Sequence, residues 1–424
     1  MVESAPPGAE VEVDGRRRGP APARLAVPAG ERRVTVQRPG YIPATYPVAA
    51  TTGATTRLTA ALWTASPRVE RVRPPYPGTQ IRAAAFLGDG SLALAVAVPP
   101  GESRQLWLRE AGGALRRVGS EEASGGLAVS PDGARIASLA RGPAPGGGPG
   151  APGAAGATEL WVAGAGGGPG ARRHALATGD EERLVDLGWT PDGRALLVVG
   201  RRSAGGGATT RLRRVGAESG EVRELVSLPA ELVPGAYAWS PSGDRVVLLA
   251  RTDRGAALCV LGLADGAFCY LADLEPGAPP PFAPAGWSPD GRRLRYTAPL
   301  PSRPAVGLLP LARRPEAGLF ELEPAAARPE PRLLGEGVGR YPAWRPDGGA
   351  VALATARGGQ LVLRALEPAG GSPREVARLP LRTAGAFAAS WDVVHGQVLV
   401  TVAAGSLDAG RPEHWLVQFT EAIG

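Results

Sequence analysis

One short pattern recurs along most of this chain: an apolar strand ending in an aromatic residue, a Ser-Pro-Asp-Gly-like turn, and a second apolar strand. Proline fixes φ at the first turn position, Asp accepts hydrogen bonds from nearby backbone N–H groups, and Gly takes the positive φ that closes a hairpin. Seven segments follow this plan. Five match the turn well, and the first and the last depart from it. They begin at Ala83, Leu127, Leu187, Tyr237, Ala285, Pro342 and Ala389.

The spacing of these segments indicates the architecture. Successive segments begin 44 to 60 residues apart, and a four-stranded propeller blade takes about 40 to 50 residues. The longer intervals contain insertions at 142–156 and 299–315. We therefore predict an all-β chain with a seven-bladed β-propeller over residues 64–424, six blades being the alternative. Because the last repeat lacks a strand, we expect segment 67–72 to pair with the last blade and close the ring.

Two residue types recur in phase with the turn. Tryptophans stand just before it and are predicted to pack between blades rather than to bind sugar, because their position in the repeat is fixed; they are Trp189, Trp239, Trp287, Trp344 and Trp391. Single aspartates stand within it, at Asp132, Asp192, Asp290 and Asp347. Calcium takes six to eight oxygen ligands, so one carboxylate per turn predicts a turn-forming role and no metal site.

The first sixty residues have a different organisation. Val11 and Val13 alternate with charged residues before an Asp14-Gly15 hairpin turn, and Val34 and Val36 form another alternating strand. This pattern predicts a small antiparallel β-sandwich over residues 1–63.

This segment resembles the PEGA domain family. Ser4-Ala5-Pro6-Pro7-Gly8-Ala9 is similar to the family's Pro-Glu-Gly-Ala signature, with Pro7 in place of the glutamate. Val11-Glu12-Val13-Asp14-Gly15 is similar to its hairpin, and Arg38-Pro39-Gly40-Tyr41 to its closing Pro-Gly-Tyr. The resemblance implies a surface or extracytoplasmic sandwich, often next to a membrane anchor, without catalysis.

The repeated Pro-Asp-Gly turn, with an aromatic residue two positions before the proline, resembles the WD40-like Pro-Asp repeats of TolB-type propellers. It is also similar to the propeller domains of the prolyl oligopeptidase family. The resemblance covers residues 80 to 419 and implies a periplasmic or cell-surface interaction platform.

Charge and cysteine content exclude several classes of protein. The net charge of +7 comes from arginine without lysine, it is spread along the chain, and aromatic residues make up 5%. Nucleic-acid binding favours a clustered basic stripe with interleaved aromatics, so no nucleic-acid partner is expected. Cys259 and Cys269 are too few for a disulfide scaffold or a paired-cysteine zinc module, and the sequence leaves open whether they form a disulfide.

The sequence offers no catalytic or metal-binding constellation. The histidines are His174, His395 and His414, and neither a Gly-x-Ser-x-Gly elbow nor a His-Glu-x-x-His motif occurs. We predict no catalytic residue, no metal, no cofactor and no enzymatic activity.

No apolar run reaches the roughly 18 to 20 residues that would span a bilayer. Met1 is followed at once by a predicted strand, and the sequence leaves open whether an upstream signal or membrane anchor has been removed. The family resemblances imply an extracytoplasmic location, and a monomer is expected.

Loops on one rim of a propeller usually carry its binding residues. The rim and channel mouth are predicted to present Tyr76, Arg82, Glu122, Glu182, Arg183, Arg340, Tyr341 and Arg382. The leading hypothesis is a scaffold that binds a protein or a cell-envelope polymer through this face. The alternatives are a lactonase-like propeller hydrolase with a channel metal and a detached sensor region of a membrane signalling protein.

Overall fold

The computed structural model places most of the chain. The described residues are 1–99, 104–141, 158–166, 171–176, 182–204, 207–228, 231–252, 255–264, 266–274, 284–288, 290–299, 317–325, 330–338, 343–344, 351–357, 360–366, 374–380, 386–392, 396–403 and 412–419. Across these ranges the regular elements are β-strands. In this part of the chain no helix is long and apolar enough to cross a bilayer.

The N-terminal module contains eight of the described strands. They are β1 (Val2–Ala5), β2 (Glu10–Val13), β3 (Arg16–Pro20), β4 (Gly30–Gln37), β5 (Tyr41–Ile42), β6 (Ala44–Ala50), β7 (Leu58–Ala61) and β8 (Trp63–Thr64). An antiparallel sheet has the order β3-β2-β4-β6, β1 pairs in parallel with β7, and β5 pairs with β8.

The alternation in β2 and β4 produces the core of this module. Val11 lies opposite Val36 and Val13 opposite Val34. All four side chains are buried together with Tyr46, whereas the intervening polar residues lie on the other face of the sheet, as a period of two requires. The predicted apolar face is therefore confirmed.

The remaining strands follow in chain order. The first group is β9 (Arg68–Val72), β10 (Gln80–Phe86), β11 (Leu92–Ala97), β12 (Arg104–Arg109), β13 (Leu115–Val129), β14 (Arg135–Arg141), β15 (Thr158–Gly164) and β16 (Arg172–Leu176). The second is β17 (Glu182–Trp189), β18 (Ala195–Ala204), β19 (Gly207–Gly216), β20 (Val222–Leu228), β21 (Glu231–Trp239), β22 (Arg245–Thr252), β23 (Gly255–Gly262) and β24 (Phe268–Leu274). The third is β25 (Pro284–Trp287), β26 (Leu294–Pro299), β27 (Ala317–Leu322), β28 (Arg332–Val338), β29 (Ala343–Trp344), β30 (Val351–Arg357), β31 (Gln360–Leu366), β32 (Arg374–Pro380), β33 (Ala386–Asp392), β34 (Gln397–Ala403) and β35 (Glu413–Gln418).

Antiparallel meanders build these strands into successive sheets. Four-stranded sheets have the orders β17-β18-β19-β20, β21-β22-β23-β24, β25-β26-β27-β28 and β29-β30-β31-β32. A further sheet has the order β33-β34-β35-β9, so that a strand from before the first repeat lies beside a strand from the end of the chain.

The first two repeats differ from the expected separate sheets. Strands β10 to β16 form one seven-stranded sheet because β13 pairs with β12 at its beginning and with β14 at its end. Its register shifts around Gly125, and Gly126 has a positive φ of 59°. Strand β13 therefore belongs to two repeats, and its pairing changes partner where the register shifts.

Apolar side chains from neighbouring sheets share cores. One core joins β13–β16 to β17–β20 through residues such as Leu139, Leu160 and Leu196. Another joins β17–β20 to β21–β24 through Leu197, Leu212 and Leu248. The central strands therefore bury both faces, as near-continuous apolar runs require.

The chain divides into two compact units. One comprises 1–72, 342–404 and 415–424, and the other comprises 73–341 and 405–414. The N-terminal module thus belongs to the same unit as the sheets β29–β32 and β33-β34-β35-β9. The division of the chain into domains 1–63 and 64–424 remains a prediction.

Candidate functional site

The repeated aspartates serve their own turns. The Ser130 hydroxyl donates to the Asp132 carboxylate, which also accepts the Ala134 backbone N–H at 3.1 Å. These bonds, the hydroxyl first, hold the pKa of Asp132 below its ordinary value. Equivalent bonds lower the pKa of Asp192 and of Asp290. The Asp244 carboxylate instead accepts hydrogen bonds from the Ser242 and Ser240 hydroxyls, which lower its pKa. The turn-forming interpretation is confirmed for Asp132, Asp192 and Asp290, while Asp347 lies outside the described residues.

The tryptophans before two of these turns pack between sheets, as predicted. Trp189 is buried, and its Nε1 donates to the Ala128 carbonyl in β13 at 3.3 Å. Trp287 is buried in the same way and donates to the Ala238 carbonyl in β21 at 3.0 Å. Their indole N–H groups are therefore engaged with the neighbouring sheet.

Glu182, a predicted rim residue, is buried. Its side chain is 3% exposed and accepts a hydrogen bond from Arg213 at 2.6 Å and one from Arg211 at 3.3 Å. It reaches these arginines on β19 by passing over Gly200 on β18, where any Cβ would overlap the carboxylate. Because Arg213 is itself only 7% exposed, this is an internal ion pair that offers little surface to a partner.

A second buried carboxylate was not anticipated from the sequence. Glu321 on β27 is 6% exposed and accepts hydrogen bonds from Arg295 at 3.0 Å and from Arg332 at 2.7 Å, with Arg293 at 3.3 Å. Burial alone would raise the pKa of Glu321, but the bonds from Arg295 and Arg332 outweigh it and the pKa is lowered. Arg293, Arg295 and Arg332 therefore balance the charge of an internal glutamate, and the closeness of Arg293 and Arg295 in the sequence was the available signal.

The described histidines hold backbone carbonyls. His174 Nε2 lies 2.9 Å from the Ala217 carbonyl oxygen. His414 Nε2 lies 3.1 Å from the Ile81 carbonyl oxygen, and burial lowers the pKa of His414 to about 4. The neutral form of His414 is therefore its stable form at physiological pH. His395 lies outside the described residues.

The two cysteines do not form a disulfide. Cys259 lies opposite Tyr270 and Cys269 opposite Val260, so the two side chains lie on opposite faces of the β23–β24 pair. Cys259 is buried and Cys269 is exposed. The register, which the sequence left open, decides between the two possibilities.

Tyr76 belongs to a small polar and aromatic cluster, here called the Tyr76 shelf and made of Tyr76, Gln105 and Trp107. The Tyr76 hydroxyl donates to Gln105 Oε1 at 2.9 Å, and Trp107 Nε1 donates to the same oxygen at 3.2 Å. The two rings meet edge to face with centroids 5.8 Å apart. Since both donors occupy the amide oxygen, the Gln105 NH₂ group is left as a donor beside an aromatic surface of which Tyr76 is 37% exposed.

The other predicted site residues lie on separate elements. Arg82 lies in β10 at a shift of register, Glu122 lies within β13, and Arg183 is exposed on β17. Arg340, Tyr341 and Arg382 lie outside the described residues. The Tyr76 shelf and the Glu182 ion pair belong to different sheets.

In the described ranges no three His, Cys, Asp or Glu side chains form a group that could hold a metal ion.

Comparison with known proteins identifies the N-terminal module. Residues 1–65 match the PEGA domain. A search of curated proteins found no match.

Solved structures are similar to most of the chain. An oligogalacturonate lyase in complex with manganese aligns with a TM-score of 0.55 and 16% identity, covering 84% of this chain and 94% of that one. The acylaminoacyl peptidase of Pyrococcus horikoshii aligns with a TM-score of 0.51 and 15% identity, covering 81% of this chain and 53% of the peptidase. TolB from Acinetobacter baumannii is also similar, with a TM-score of 0.40, 12% identity and coverage of 78% and 79%. At these identities the similarity concerns the fold, and the predicted all-β propeller class is confirmed, while the number of blades remains a prediction.

Proposed function

We propose that this protein is a non-catalytic binding scaffold that works outside the cytoplasm and contacts a protein or a cell-envelope polymer through its propeller. The PEGA match at residues 1–65 and the propeller fold support an extracytoplasmic location. Binding needs neither metal nor cofactor in this proposal.

The Tyr76 shelf is the observation that carries the proposal. Tyrosine and tryptophan dominate the energetics of protein interfaces because each offers a large rigid surface with one polar group. Here the rings are fixed against each other by shared hydrogen bonds to Gln105. Fixing them before binding reduces the entropy that a partner must overcome.

The roles of the candidate catalytic side chains favour binding over catalysis. Where the structure describes them, the turn aspartates are engaged in their turns and His174 and His414 hold backbone carbonyls. A hydrolase would need such groups to converge on one reacting atom.

A binding experiment tests the shelf. Purified cell-envelope polymers and envelope protein fractions are titrated against the wild type, Tyr76→Ala and Gln105→Ala, with Tyr270→Ala as the control because Tyr270 is 50% exposed on β24. Loss of an interface tyrosine is expected to weaken binding about tenfold or more. Equal affinity of Tyr76→Ala and Tyr270→Ala would refute the shelf as the contact.

An activity experiment tests the absence of catalysis. The protein is incubated with manganese, calcium or zinc ions and a panel of esters, lactones and oligogalacturonate, the last because a lyase for that substrate shares the fold. We expect no turnover above the metal-only blank. Metal-dependent turnover would replace the scaffold with the hydrolase or lyase alternative.

A further inference from the structure

The N-terminal module ends in a two-stranded ribbon, β5–β8. Tyr41 pairs with Thr64 and Ile42 with Trp63. The Ala65 backbone N–H donates to the Gly40 carbonyl at 2.9 Å and extends the pairing by one step. The ribbon is thus the last piece of the module before the chain enters β9.

Trp63 fixes one side of this ribbon to the end of the chain. Its ring centroid lies 5.2 Å from that of Trp391 in β33 and 4.8 Å from that of Phe419, which follows β35. Trp63 and Phe419 are both buried. A buried aromatic cluster of this kind contributes more than its apolar area alone.

Arg374 fixes the backbone of the same ribbon to another sheet. Arg374 is the first residue of β32, and its Nη1 donates to the Pro43 carbonyl at 3.3 Å and lies 3.5 Å from the Ile42 carbonyl oxygen. A charged donor on a carbonyl gives a stronger hydrogen bond than a neutral one. The ribbon is therefore held by β29–β32 and by β33-β34-β35-β9.

Strand β9 has little apolar surface of its own. Of its five residues only Val72 is buried, and Arg68 and Arg71 are exposed. Yet β9 is the strand next to β35 in its sheet. Only residues 65–67 separate it from β8, so fixing the ribbon keeps β9 at high local concentration beside β35.

From this arrangement we propose that the β5–β8 ribbon is a latch that holds β9 against β35, so that the N-terminal module controls whether this sheet is complete. The module then stabilises the last sheet. Displacing it releases β9 and uncovers the edge of β35, whose backbone groups can pair with another strand.

Hydrogen exchange of the full-length protein tests the latch. Trp63→Ala is expected to raise the exchange rates of the β9 and β35 amides about tenfold or more, while β17–β24 amides keep the wild-type rates. Leu248→Ala is the control, because it loosens the core shared by β17–β20 and β21–β24, which contains no residue of the ribbon's unit. It should speed exchange in β22 and leave β9 unchanged.

A second variant separates the latch from general destabilisation. Inserting six Gly/Ser residues after Ser66 keeps both sets of contacts and lengthens the connection to β9. The ribbon amides should stay protected while β9 exchanges faster. Wild-type exchange of β9 in both variants, or an equal increase in β17–β24, would overturn the latch.

Discussion

Two interfaces between neighbouring sheets use the same repeat differently. In the Trp189 interface, between β13–β16 and β17–β20, the guanidinium of Arg135 lies 4.7 Å from the centroid of the Trp189 ring and donates to the Gly193 carbonyl at 2.5 Å. Arg245 repeats the arrangement over Trp287, at 5.0 Å. One arginine thus holds both the tryptophan and the turn of the next sheet.

The Trp239 interface, between β17–β20 and β21–β24, lacks this arginine. The residue in the position of Arg135 is Ala195, which is fully buried. Trp239 Nε1 is buried without a hydrogen-bond partner among the described residues. Instead, the Tyr237 hydroxyl donates to the Leu187 carbonyl at 2.9 Å, and burial raises the pKa of Tyr237 well above its ordinary value.

The two interfaces therefore show that equivalent positions of the repeat can be packed against the neighbouring sheet by different pairs of residues. Gly188 makes room for Tyr237, because a Cβ at position 188 would overlap the Tyr237 hydroxyl. The Tyr237–Gly188 pair therefore links its two neighbouring sheets, as the Arg135–Trp189 pair links the sheets of the other interface. The following changes test this equivalence, in descending order of expected effect.

Removal of each tryptophan should reveal the largest difference in stability between the two interfaces. Trp189→Ala is expected to lower the free energy of unfolding by about 3–5 kcal/mol. Trp239→Ala should lower the free energy of unfolding by at least about 1 kcal/mol less than Trp189→Ala does. The Trp239 ring is only partly buried, and its indole N–H has no hydrogen-bond partner among the described residues. Urea unfolding followed by circular dichroism measures both, and equal losses would contradict the comparison.

Filling the space at Gly188 should damage only the Trp239 interface. Gly188→Ala is expected to cost about 1–3 kcal/mol through overpacking against Tyr237. Adding Tyr237→Phe should recover part of this loss, although that change alone loses a hydrogen bond worth about 1 kcal/mol. A double-mutant cycle in urea measures the coupling, and strict additivity would show that the two residues do not depend on each other.

Replacing the stacked arginines should have a moderate effect. Arg135→Gln is expected to cost about 1–2 kcal/mol from the lost ring stacking and carbonyl bond. Arg245→Gln should cost less, since its bond to the Gly291 carbonyl is longer, at 3.3 Å. Arg194→Gln, an exposed arginine beside a turn, is the control and should change stability by less than about 0.5 kcal/mol.

Acid should weaken the turns at both interfaces alike and only slightly. The folded pKa of Asp132 and of Asp192 lies below the unfolded value, so their contribution is present at neutral pH and is lost as pH falls through the folded pKa. In thermal unfolding between pH 7 and pH 3, Asp132→Asn and Asp192→Asn should each show a shallower fall in Tm than the wild type, by no more than about 2 °C. A clear difference between the two variants would show that the turns are not equivalent.

Much of the architecture could be predicted from local signals. The proline, aspartate and glycine of each turn determine the conformation of their own backbone. Trp189 stands at a fixed distance in sequence from its turn, so its role can be predicted from a single repeat. The alternation of Val11 and Val13 is equally local. The sequence could not predict whether the Cys259 and Cys269 side chains lie on the same face of their strand pair, because one step of register moves a side chain to the other face.

The candidate site was less predictable. Tyr76 was proposed from its place in a loop, but its partners Gln105 and Trp107 lie about thirty residues later on β12. Glu182 was expected on the rim, and only the glycine at position 200 of the next strand allows it to turn inward. The sequence indicates which residues form a turn, but it does not show which side chains from different strands contact each other.

The sequence by itself determined the repeated turn, the spacing of the sheets and the apolar faces, because each depends on residues close together in the chain. The tertiary structure alone decided that Arg135 covers Trp189, that Glu182 and Glu321 are neutralised inside, and that Trp63 meets Trp391 and Phe419. These contacts join residues tens to hundreds of positions apart, and their geometry exists only when the sheets have packed.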